Sequence, residues 1–170
     1  LAQAEEVAAS GLAEARAAIT QMRHNSVRDE GLGAALQPLL NRFRQRSGVE
    51  ATLHADTQAA GLADDRAETV FRIIEEALKN VERHANANRV EVNLRWLEPP
   101  PDEGADWNAR EPARLRVEII DDGVGFDPAA PCPGHYGLRG IREQAELIQA
   151  RFKLDSQPDA GTRIVLEFEA

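Results

Sequence analysis

Three stretches in which apolar and polar residues alternate strictly constrain the fold of this chain most. Their apolar members are Val90, Val92, Leu94 and Trp96, then Leu115, Val117 and Ile119, and finally Ile164, Leu166 and Phe168. Because side chains of a β-strand point alternately to its two faces, each stretch predicts a strand with one buried face. The first two strands are expected to be adjacent and antiparallel. Shorter sets predict further strands around residues 49–53 and 152–154.

Helical spacing of apolar residues marks the N-terminal part of the chain. Residues 2–23 carry a narrow, alanine-rich apolar seam, which is typical of a helix that packs on other helices. A polar break over residues 24–31 is followed by a second helix, over residues 32–47. Pro38 inside this second helix predicts either a kink or a helix that starts near Ala34, with the proline in its first turn.

Two more helices are predicted farther along the chain. Asp64 and Asp65 are candidate N-caps for the longest helix, which is expected to run to about Ala85, and residues 138–148 form another helix. Residues 98–113, rich in proline, predict a surface insertion. Helices come first and then alternate with strand pairs. The expected fold is therefore α+β in two layers, with a mixed, mostly antiparallel sheet covered on one face by helices and preceded by an N-terminal helix.

Composition excludes several functional classes. The 170 residues carry a formal net charge of −9, which argues against binding nucleic acid or an anionic membrane surface. The single cysteine, Cys132, permits no intrachain disulfide and no cysteine metal cluster. No apolar run is long enough to span a bilayer, so a soluble, cytoplasmic domain is expected. An anionic substrate would need local positive charge.

The first candidate for chemistry is a polar stripe on the longest helix. Glu76, Asn80 and Arg83 lie on the side opposite its apolar face. A carboxylate one turn away from an amide oxygen can position a water molecule and hold a hard cation that prefers oxygen ligands. A solvated charged face is the plainer interpretation, and the residues alone leave both open.

The second candidate follows the strand that ends near Ile120. Asp121 and Asp122 lead directly into Gly123-Val-Gly125, where glycine lets the backbone approach a ligand closely. A carboxylate at the end of a strand can accept a hydrogen bond from an amino group such as that of adenine. An ordinary strand-terminal turn explains the same residues equally well.

The third and fourth candidates lie near the C-terminus. A glycine-rich loop containing Gly137, Leu138, Arg139 and Gly140 opens a helix, and helix N-termini attract phosphate groups. A flexible loop before an ordinary helix is the alternative. Thr162 follows Gly161 at the start of the last strand, which by itself indicates only a turn.

Taken in order, these motifs resemble the nucleotide-binding set of the GHKL ATPase superfamily, which includes histidine kinases, gyrase-type topoisomerases, Hsp90 chaperones and MutL. The motifs are Glu-x-x-x-Asn, Asp-x-Gly-x-Gly, Gly-Leu-x-Gly and Gly-Thr. Flanking residues 71–85, 121–126 and 135–143 narrow the resemblance to bacterial two-component sensor histidine kinases of the nitrate/nitrite-sensor type. The resemblance covers about residues 12–168, and it implies the two-layer ATP-binding fold of that superfamily.

The resemblance also implies a role for each motif residue, with ATP and Mg²⁺ as ligands. Asn80 would coordinate Mg²⁺, and Glu76 would be the catalytic residue that helps polarise the nucleophile. Asp121 would accept a hydrogen bond from the adenine amino group. The other implied ATP-binding residues are Arg83, His84, Gly123, Gly125, Gly137, Leu138, Arg139, Gly140 and Thr162. Residues 127–137 would form a lid over the nucleotide.

The N-terminal residues extend the resemblance beyond the nucleotide site. Residues 13–19 resemble the second helix of the dimerisation and phosphotransfer hairpin, whose first helix carries an acceptor histidine followed by aspartate. None of the histidines here is followed by an acidic residue: His24, His54, His84 and His135. The resemblance therefore implies a hairpin remnant at residues 1–25, a catalytic ATP-binding domain at residues 26–170 and an acceptor histidine outside the chain.

The expected function is transfer of the ATP γ-phosphoryl group to a histidine of the dimerisation domain, for relay to an aspartate of a response regulator. The implied partners are that dimerisation domain, the response regulator and a second copy in a homodimer, with no nucleic acid and no membrane contact. Two alternatives remain open at this point. The chain could be another GHKL ATPase, such as an anti-sigma-factor serine kinase or a gyrase-like ATPase, or a non-catalytic dimerisation or docking module.

Overall fold

The computed structural model describes residues 27–99, 112–129 and 136–169. The helix predicted over residues 2–23 lies outside the described residues, as do most of the insertion at 98–113 and the middle of the lid at 127–137, including Cys132. Within the described part, no helix is both long and apolar enough to cross a bilayer.

A five-stranded sheet forms one layer of the domain. Its strands are β1 (Glu50–Ala55), β2 (Arg89–Leu97), β3 (Arg114–Asp121), β4 (Arg151–Ser156) and β5 (Thr162–Glu169), in the order β1-β2-β3-β5-β4. β1 and β2 are parallel, and every other neighbouring pair is antiparallel. The antiparallel pairing predicted for β2 and β3 is confirmed, as is the mixed, mostly antiparallel sheet.

The second layer consists of helices. They are α1 (Leu32–Ser47), the short α2 (Thr57–Ala60), α3 (Asp65–Asn80) and α4 (Tyr136–Leu147), and α3 continues directly into a π-helical segment at Val81–Ala85. The apolar faces of α1 and α3 are buried together with the inward residues of β2, β3 and β5 in one hydrophobic core. This arrangement confirms the predicted α+β fold of two layers.

The other face of the sheet remains polar. Alternate residues of β3 are only half-buried there, and Glu118 receives hydrogen bonds from Arg116 at 2.9 Å and from Arg163 at 2.7 Å. A face lined with charged pairs needs no second layer of helices, because its side chains already have partners and access to water. Among the described residues, the helices therefore cover a single face, as the alternating pattern predicts.

Two boundaries differ from the prediction near the N-terminus. Residues 27–30 are already helical, so among the described residues of the predicted break only Gly31, with a φ of 86°, interrupts the helix. Helix α1 starts at Leu32 instead of near Ala34, which moves Pro38 out of the first turn and into the second. The first-turn interpretation of Pro38 is therefore wrong.

Helix α3 begins where its cap residue predicts. The Asp64 carboxylate accepts a hydrogen bond from the N–H of Ala67 at 2.9 Å. Burial opposes ionisation of Asp64, but hydrogen bonds from Ala67 and Arg66 outweigh it and lower the pKa of the carboxyl group. The predicted end near Ala85 is confirmed, although the last five residues are π-helical, and Asn86 ends the segment with a left-handed φ of 48°.

Candidate functional site

A cavity of about 360 Å³ opens between α3 with its π segment, the paired strands β3 and β5, and the start of α4. The side facing α3 and the π segment is lined by Ala77, Asn80, Val81, His84 and Ala85. The sheet side and the loop after β3 contribute Ile119, Asp121, Gly125, Phe126, Thr162 and Ile164. Gly137 and Leu138 close the cavity from the first turn of α4. The lining is mostly apolar with a few polar groups, as is usual for small-molecule sites.

Strand pairing builds the floor of this cavity. Ile119 of β3 pairs with Ile164 of β5, and two residues farther along Asp121 pairs with Thr162. Residues two apart on a strand share a face, so both pairs point into the cavity. The floor therefore has an apolar platform at one end and a carboxylate beside a hydroxyl at the other.

Asp121 is the one buried charged residue in the described part of the chain, with 9% of its surface exposed. Its Oδ1 accepts a hydrogen bond from the N–H of Gly123 at 2.9 Å. Burial raises the pKa of the carboxyl group, and the negative charge of Asp122 adds to this, although the N–H groups of Gly123 and Thr162 partly oppose it. A carboxylate that carries such a desolvation cost is typical of a functional site.

The neighbouring carboxylate, that of Asp122, has a structural role. Oδ1 of Asp122 accepts hydrogen bonds from the N–H groups of Asn88 and Arg89, both at 2.8 Å, and Asp122 is exposed. The Arg89 hydrogen bond is the main cause that lowers the pKa of Asp122. Asp122 thus ties the loop after β3 to the start of β2, and only Asp121 faces the cavity.

The glycines of the loop after β3 let it pack against its neighbours. A Cβ on Gly123 would overlap the carbonyl oxygen of Ala85, which accepts a hydrogen bond from Val124 at 2.7 Å. Gly125 has a φ of 57°, and a Cβ there would overlap the carbonyl oxygen of Gln157. The contacts that demand glycine at these two positions are therefore backbone contacts within the domain, and Gly125 in addition lines the cavity.

The predicted polar stripe of α3 meets the first turn of α4. The nearest atoms to a Cβ on Gly137 would be Oδ1 of Asn80, at 2.7 Å, and Oε1 of Glu76 lies 3.1 Å away. Lys79 donates to Oε2 of Glu76 at 3.3 Å. Glu76 therefore lies beside Asn80 and Gly137 at the edge of the cavity, although it is absent from the lining itself.

The amide of Asn80 has an unused polar atom. Its Nδ2 is buried and makes no hydrogen bond to any described residue. Because a buried polar group without a partner costs free energy, this atom indicates a position that a ligand would complete. A half-turn of the side-chain amide exchanges its oxygen and its nitrogen. The Asn80 oxygen can therefore take the unpaired position, where it could accept a hydrogen bond or bind a cation.

The π-helical segment decides which basic residues face the cavity. His84 lines the cavity together with Val81 and Ala85, although the latter two belong to the predicted apolar face of the helix. Arg83 is exposed and is absent from the lining. Glu82 accepts two hydrogen bonds from Arg46 of α1, both at 2.6 Å, which anchors the outer side of the segment. Short π-helical segments are frequently found at functional sites.

The cavity thus brings together most of the predicted ATP-binding residues: Asn80, His84, Asp121, Gly125, Gly137, Leu138 and Thr162. Gly123, Gly140, Arg83 and Arg139 are absent from its lining. Arg139 is largely exposed and pairs with Glu143 one turn farther along α4, at 2.8 Å. A Cβ on Gly140 would meet no atom of a neighbouring described residue within 4 Å.

Sequence reasoning missed the apolar half of the lining and one polar residue behind it. The motifs assign no role to Ala77, Phe126, Ile119 or Ile164, although the alternating pattern already marks the two isoleucines as buried. Ser156 at the end of β4 contacts the cavity wall through hydrogen bonds to Phe126 and Thr162. Nothing in the local sequence around Ser156 separates it from an ordinary turn residue.

The donor set fits a cation that arrives with its ligand better than a resident metal. The described residues contain no cluster of three or more histidine, cysteine or acidic side chains that could hold a metal ion. Mg²⁺ keeps several water molecules and commonly binds through one or two protein oxygens together with phosphates. Asn80, with Glu76 beside it, can supply such oxygens at the cavity edge.

Comparison with known proteins gives one family and several relatives. The family described as "Histidine kinase-, DNA gyrase B-, and HSP90-like ATPase" matches residues 65–170. An uncharacterized sensor-like histidine kinase from Chloroflexus aurantiacus is 32% identical over 160 residues, which cover 90% of this chain and 25% of that protein. The oxygen sensor histidine kinase NreB from Staphylococcus carnosus is 30% identical over 148 residues, which cover 86% of this chain and 39% of NreB.

A third relative is the signal transduction histidine-protein kinase/phosphatase DegS from Brevibacillus brevis. It is 26% identical over 157 residues, which cover 92% of this chain and 37% of DegS. The chain therefore spans between a quarter and two fifths of the length of these relatives.

Solved structures share the fold. The histidine kinase domain of a blue-light activated histidine kinase from Erythrobacter litoralis EL346 superposes with a TM-score of 0.58 at 22% identity, over 81% of this chain and 60% of that one. The mycobacterial sensor histidine kinase MprB gives a TM-score of 0.51 at 19% identity, over 79% of this chain and 91% of that one. At such identities the likeness establishes a common fold.

Proposed function

The chain belongs to the family of histidine kinase-, DNA gyrase B- and HSP90-like ATPases, and we propose that it is the ATP-binding catalytic domain of a sensor histidine kinase. The cavity that joins Asp121 and Thr162 of the sheet to Asn80 of α3 and the start of α4 supports this proposal most directly. The cavity combines a hydrogen-bond acceptor on Asp121, an apolar surface formed by Ile119 and Ile164, and the N-terminus of α4. Those are the groups that a purine base and a phosphate chain require.

Each end of the nucleotide has its own set of residues in this proposal. Asp121 accepts a hydrogen bond from the adenine amino group, with Thr162 beside it, while Ile119 and Ile164 support the base. The phosphates extend toward Asn80 and the first turn of α4. In the same proposal, His84 faces the ribose and phosphates, and Gly123, Arg83, Arg139 and Gly140 shape or charge the surroundings without lining the cavity.

Bound Mg²⁺ would supply charge neutralisation on the phosphate oxygens, and Asn80 is the residue proposed to hold it. Glu76 holds its carboxylate beside Asn80, where it can accept a proton from an attacking nucleophile. Lys79 pairs with Glu76 at 3.3 Å and keeps that carboxylate oriented along α3. Much of the catalysis of phosphoryl transfer comes from such positioning and from charge stabilisation.

We place the acceptor histidine in a dimerisation domain outside these 170 residues, because no histidine here precedes an acidic residue. Residues 1–25 are proposed to belong to the second helix of that domain and residues 26–170 to form the catalytic domain. The phosphoryl group would pass to an aspartate of a response regulator, within a homodimer in the cytoplasm. The motif resemblance, together with the similarity to NreB and DegS, supports a kinase of the nitrate/nitrite-sensor type.

Nucleotide binding is tested with two substitutions at neighbouring residues, each of which removes one negative charge. Asp121→Asn places an amide where adenine would find its acceptor, and we expect a loss of at least about tenfold in ATP affinity by isothermal titration calorimetry. Asp122→Asn removes the same charge one residue away, yet its amide oxygen can still accept from the backbone of residues 88 and 89. This control is expected to bind ATP within about twofold of wild type. Equal losses in both variants would contradict the assignment of the cavity.

Phosphoryl transfer is tested by supplying the acceptor separately. A longer form of the protein that carries the dimerisation domain is inactivated by Asp121→Asn and mixed with this chain and radiolabelled ATP. We expect acid-labile label on the longer form and none on the 170-residue chain. Stable label on this chain alone, or label unaffected by Glu76→Gln in the chain, would refute the proposed transfer.

A further inference from the structure

The hydroxyl group of Ser156 makes three hydrogen bonds immediately behind the cavity wall. It donates to the carbonyl oxygen of Gly161 at 2.8 Å and accepts from the N–H of Phe126 at 3.0 Å. Its oxygen also lies 3.2 Å from Oγ1 of Thr162. A serine hydroxyl has a single hydrogen to donate and two lone pairs to accept with. Since Gly161 takes the hydrogen, Thr162 must be the donor in the contact with Ser156.

This direction fixes what Thr162 presents to the cavity. With its hydrogen directed at Ser156, the Thr162 hydroxyl has only lone pairs left to offer to a ligand in the cavity, which Thr162 lines. Asp121, its cross-strand partner, is likewise only an acceptor when ionised. The polar end of the cavity floor therefore consists of acceptors.

We propose that Ser156 is a positioning residue that makes this site select adenine over 6-oxopurines, by holding the Thr162 hydroxyl in an acceptor-only orientation. It rests on the proposed function, in which the base lies beside Asp121 and Thr162. The amino group of adenine brings hydrogens to these acceptors. The 6-oxo oxygen of hypoxanthine or guanine carries no hydrogen and would instead face their lone pairs, and a site built for a donor at that position strongly rejects a ligand that has an acceptor there.

Selectivity is measured as the ratio of Kd for inosine diphosphate to Kd for ADP, because these two ligands share the same ribose and phosphates. In Ser156→Ala the Thr162 hydroxyl is free to rotate and donate to the 6-oxo oxygen, so we expect the ratio to fall by about tenfold. Ser156→Thr keeps the hydroxyl and should retain the wild-type ratio. Should Ser156→Ala not fold, Ser156→Cys serves instead, because a thiol is only a weak donor and acceptor.

Thr162→Val separates orientation of the hydroxyl from general packing. In a Thr162→Val background, Ser156→Ala should leave the ratio unchanged, since no hydroxyl remains to be oriented. Two results would overturn the inference: an unchanged ratio in Ser156→Ala with Thr162 present, or an equal fall of the ratio with and without Thr162. Neither result would contradict the proposed binding of ATP. Absence of ADP binding to the wild-type chain would instead refute the proposed function, and with it this inference.

Discussion

Replacing Gly137 by alanine should weaken binding of Mg-ATP by pushing on the proposed metal ligand. The new Cβ would lie 2.7 Å from Oδ1 of Asn80 and 3.1 Å from Oε1 of Glu76. Ordinary van der Waals contact with a Cβ begins at about 3.4 Å, so the Asn80 amide must move away from the new Cβ by more than half an ångström. Gly137 lies in the first turn of α4, and a helix backbone cannot yield freely to relieve the contact.

The magnitude follows from this displacement. Disturbing the support of a metal ligand typically costs about 10-fold to 100-fold in metal affinity, and we expect a loss near the lower bound for Mg-ATP. Gly140→Ala is the matched control, because it lies one turn farther along the same helix and, in the described part of the chain, its Cβ would meet no neighbour within 4 Å. It should gain about 1 kcal/mol of helix stability and raise Tm by about 2–4 °C.

Calorimetric titration with ATP in the presence of Mg²⁺ and again with EDTA gives the decisive measurement. Gly137→Ala should lose affinity chiefly when Mg²⁺ is present, whereas Gly140→Ala should bind within about twofold of wild type in both conditions. Equal affinity in the two variants would refute the reasoning about Asn80. A large loss in Gly140→Ala would show that this glycine contacts the nucleotide, as the motif resemblance implies, despite its absence from the cavity lining.

Three further predictions concern stability. Gly125→Ala should lower the free energy of unfolding in urea by at least about 2 kcal/mol more than Gly48→Ala, because both have positive φ but only the Gly125 Cβ would overlap a neighbour, the Gln157 carbonyl. Asp121→Asn should raise Tm at neutral pH, because folding raises the pKa of the Asp121 carboxyl group above its ordinary value of 3.8. The wild-type protein therefore loses stability as the pH rises from 3.8 through the folded-state pKa. The higher Tm of the variant should vanish as the pH is lowered toward 3.8. Asp64→Ala should cost about 1 kcal/mol in urea unfolding through loss of the α3 cap, and Asp64→Asn should restore most of it.

Local patterns predicted the elements well because periodicity is a property of neighbouring residues. Alternation over residues 90–96 and 115–119 marks two strands whose inward side chains are buried, apart from Trp96, which is half-buried. Asp64 marks the start of α3 because a cap acts within three residues. The break near Gly31 was predicted too long, since polar composition alone does not prevent residues 27–30 from being helical.

Predictions about the site depended on which residues the fold brings together. Strand β3 ends at Asp121 and a second acid, Asp122, follows it. Only the strand geometry directs Asp121 to the cavity, while Asp122 binds the backbone at the start of β2. Arg83 shares the polar stripe of its helix with Asn80, and Arg139 shares a motif with Gly137 and Leu138, yet both arginines are exposed. Each lies on a helix, where the direction of a side chain depends on how the helix is packed and, for Arg83, on the π-helical turn.

By itself the sequence determined the succession of helices and strands, the acidic charge and the residue types of the nucleotide motifs. Only the tertiary structure decided that Ile119 meets Ile164, that Asp121 meets Thr162, and that Ser156 controls the hydrogen of that threonine. The physical reason is that the register of β3 and β5 joins residues about 40 positions apart in the chain, where no local periodicity can report on it. Ser156 and Thr162 are only six positions apart, but the direction of their hydrogen bond depends on the other partners of Ser156, which periodicity does not report either.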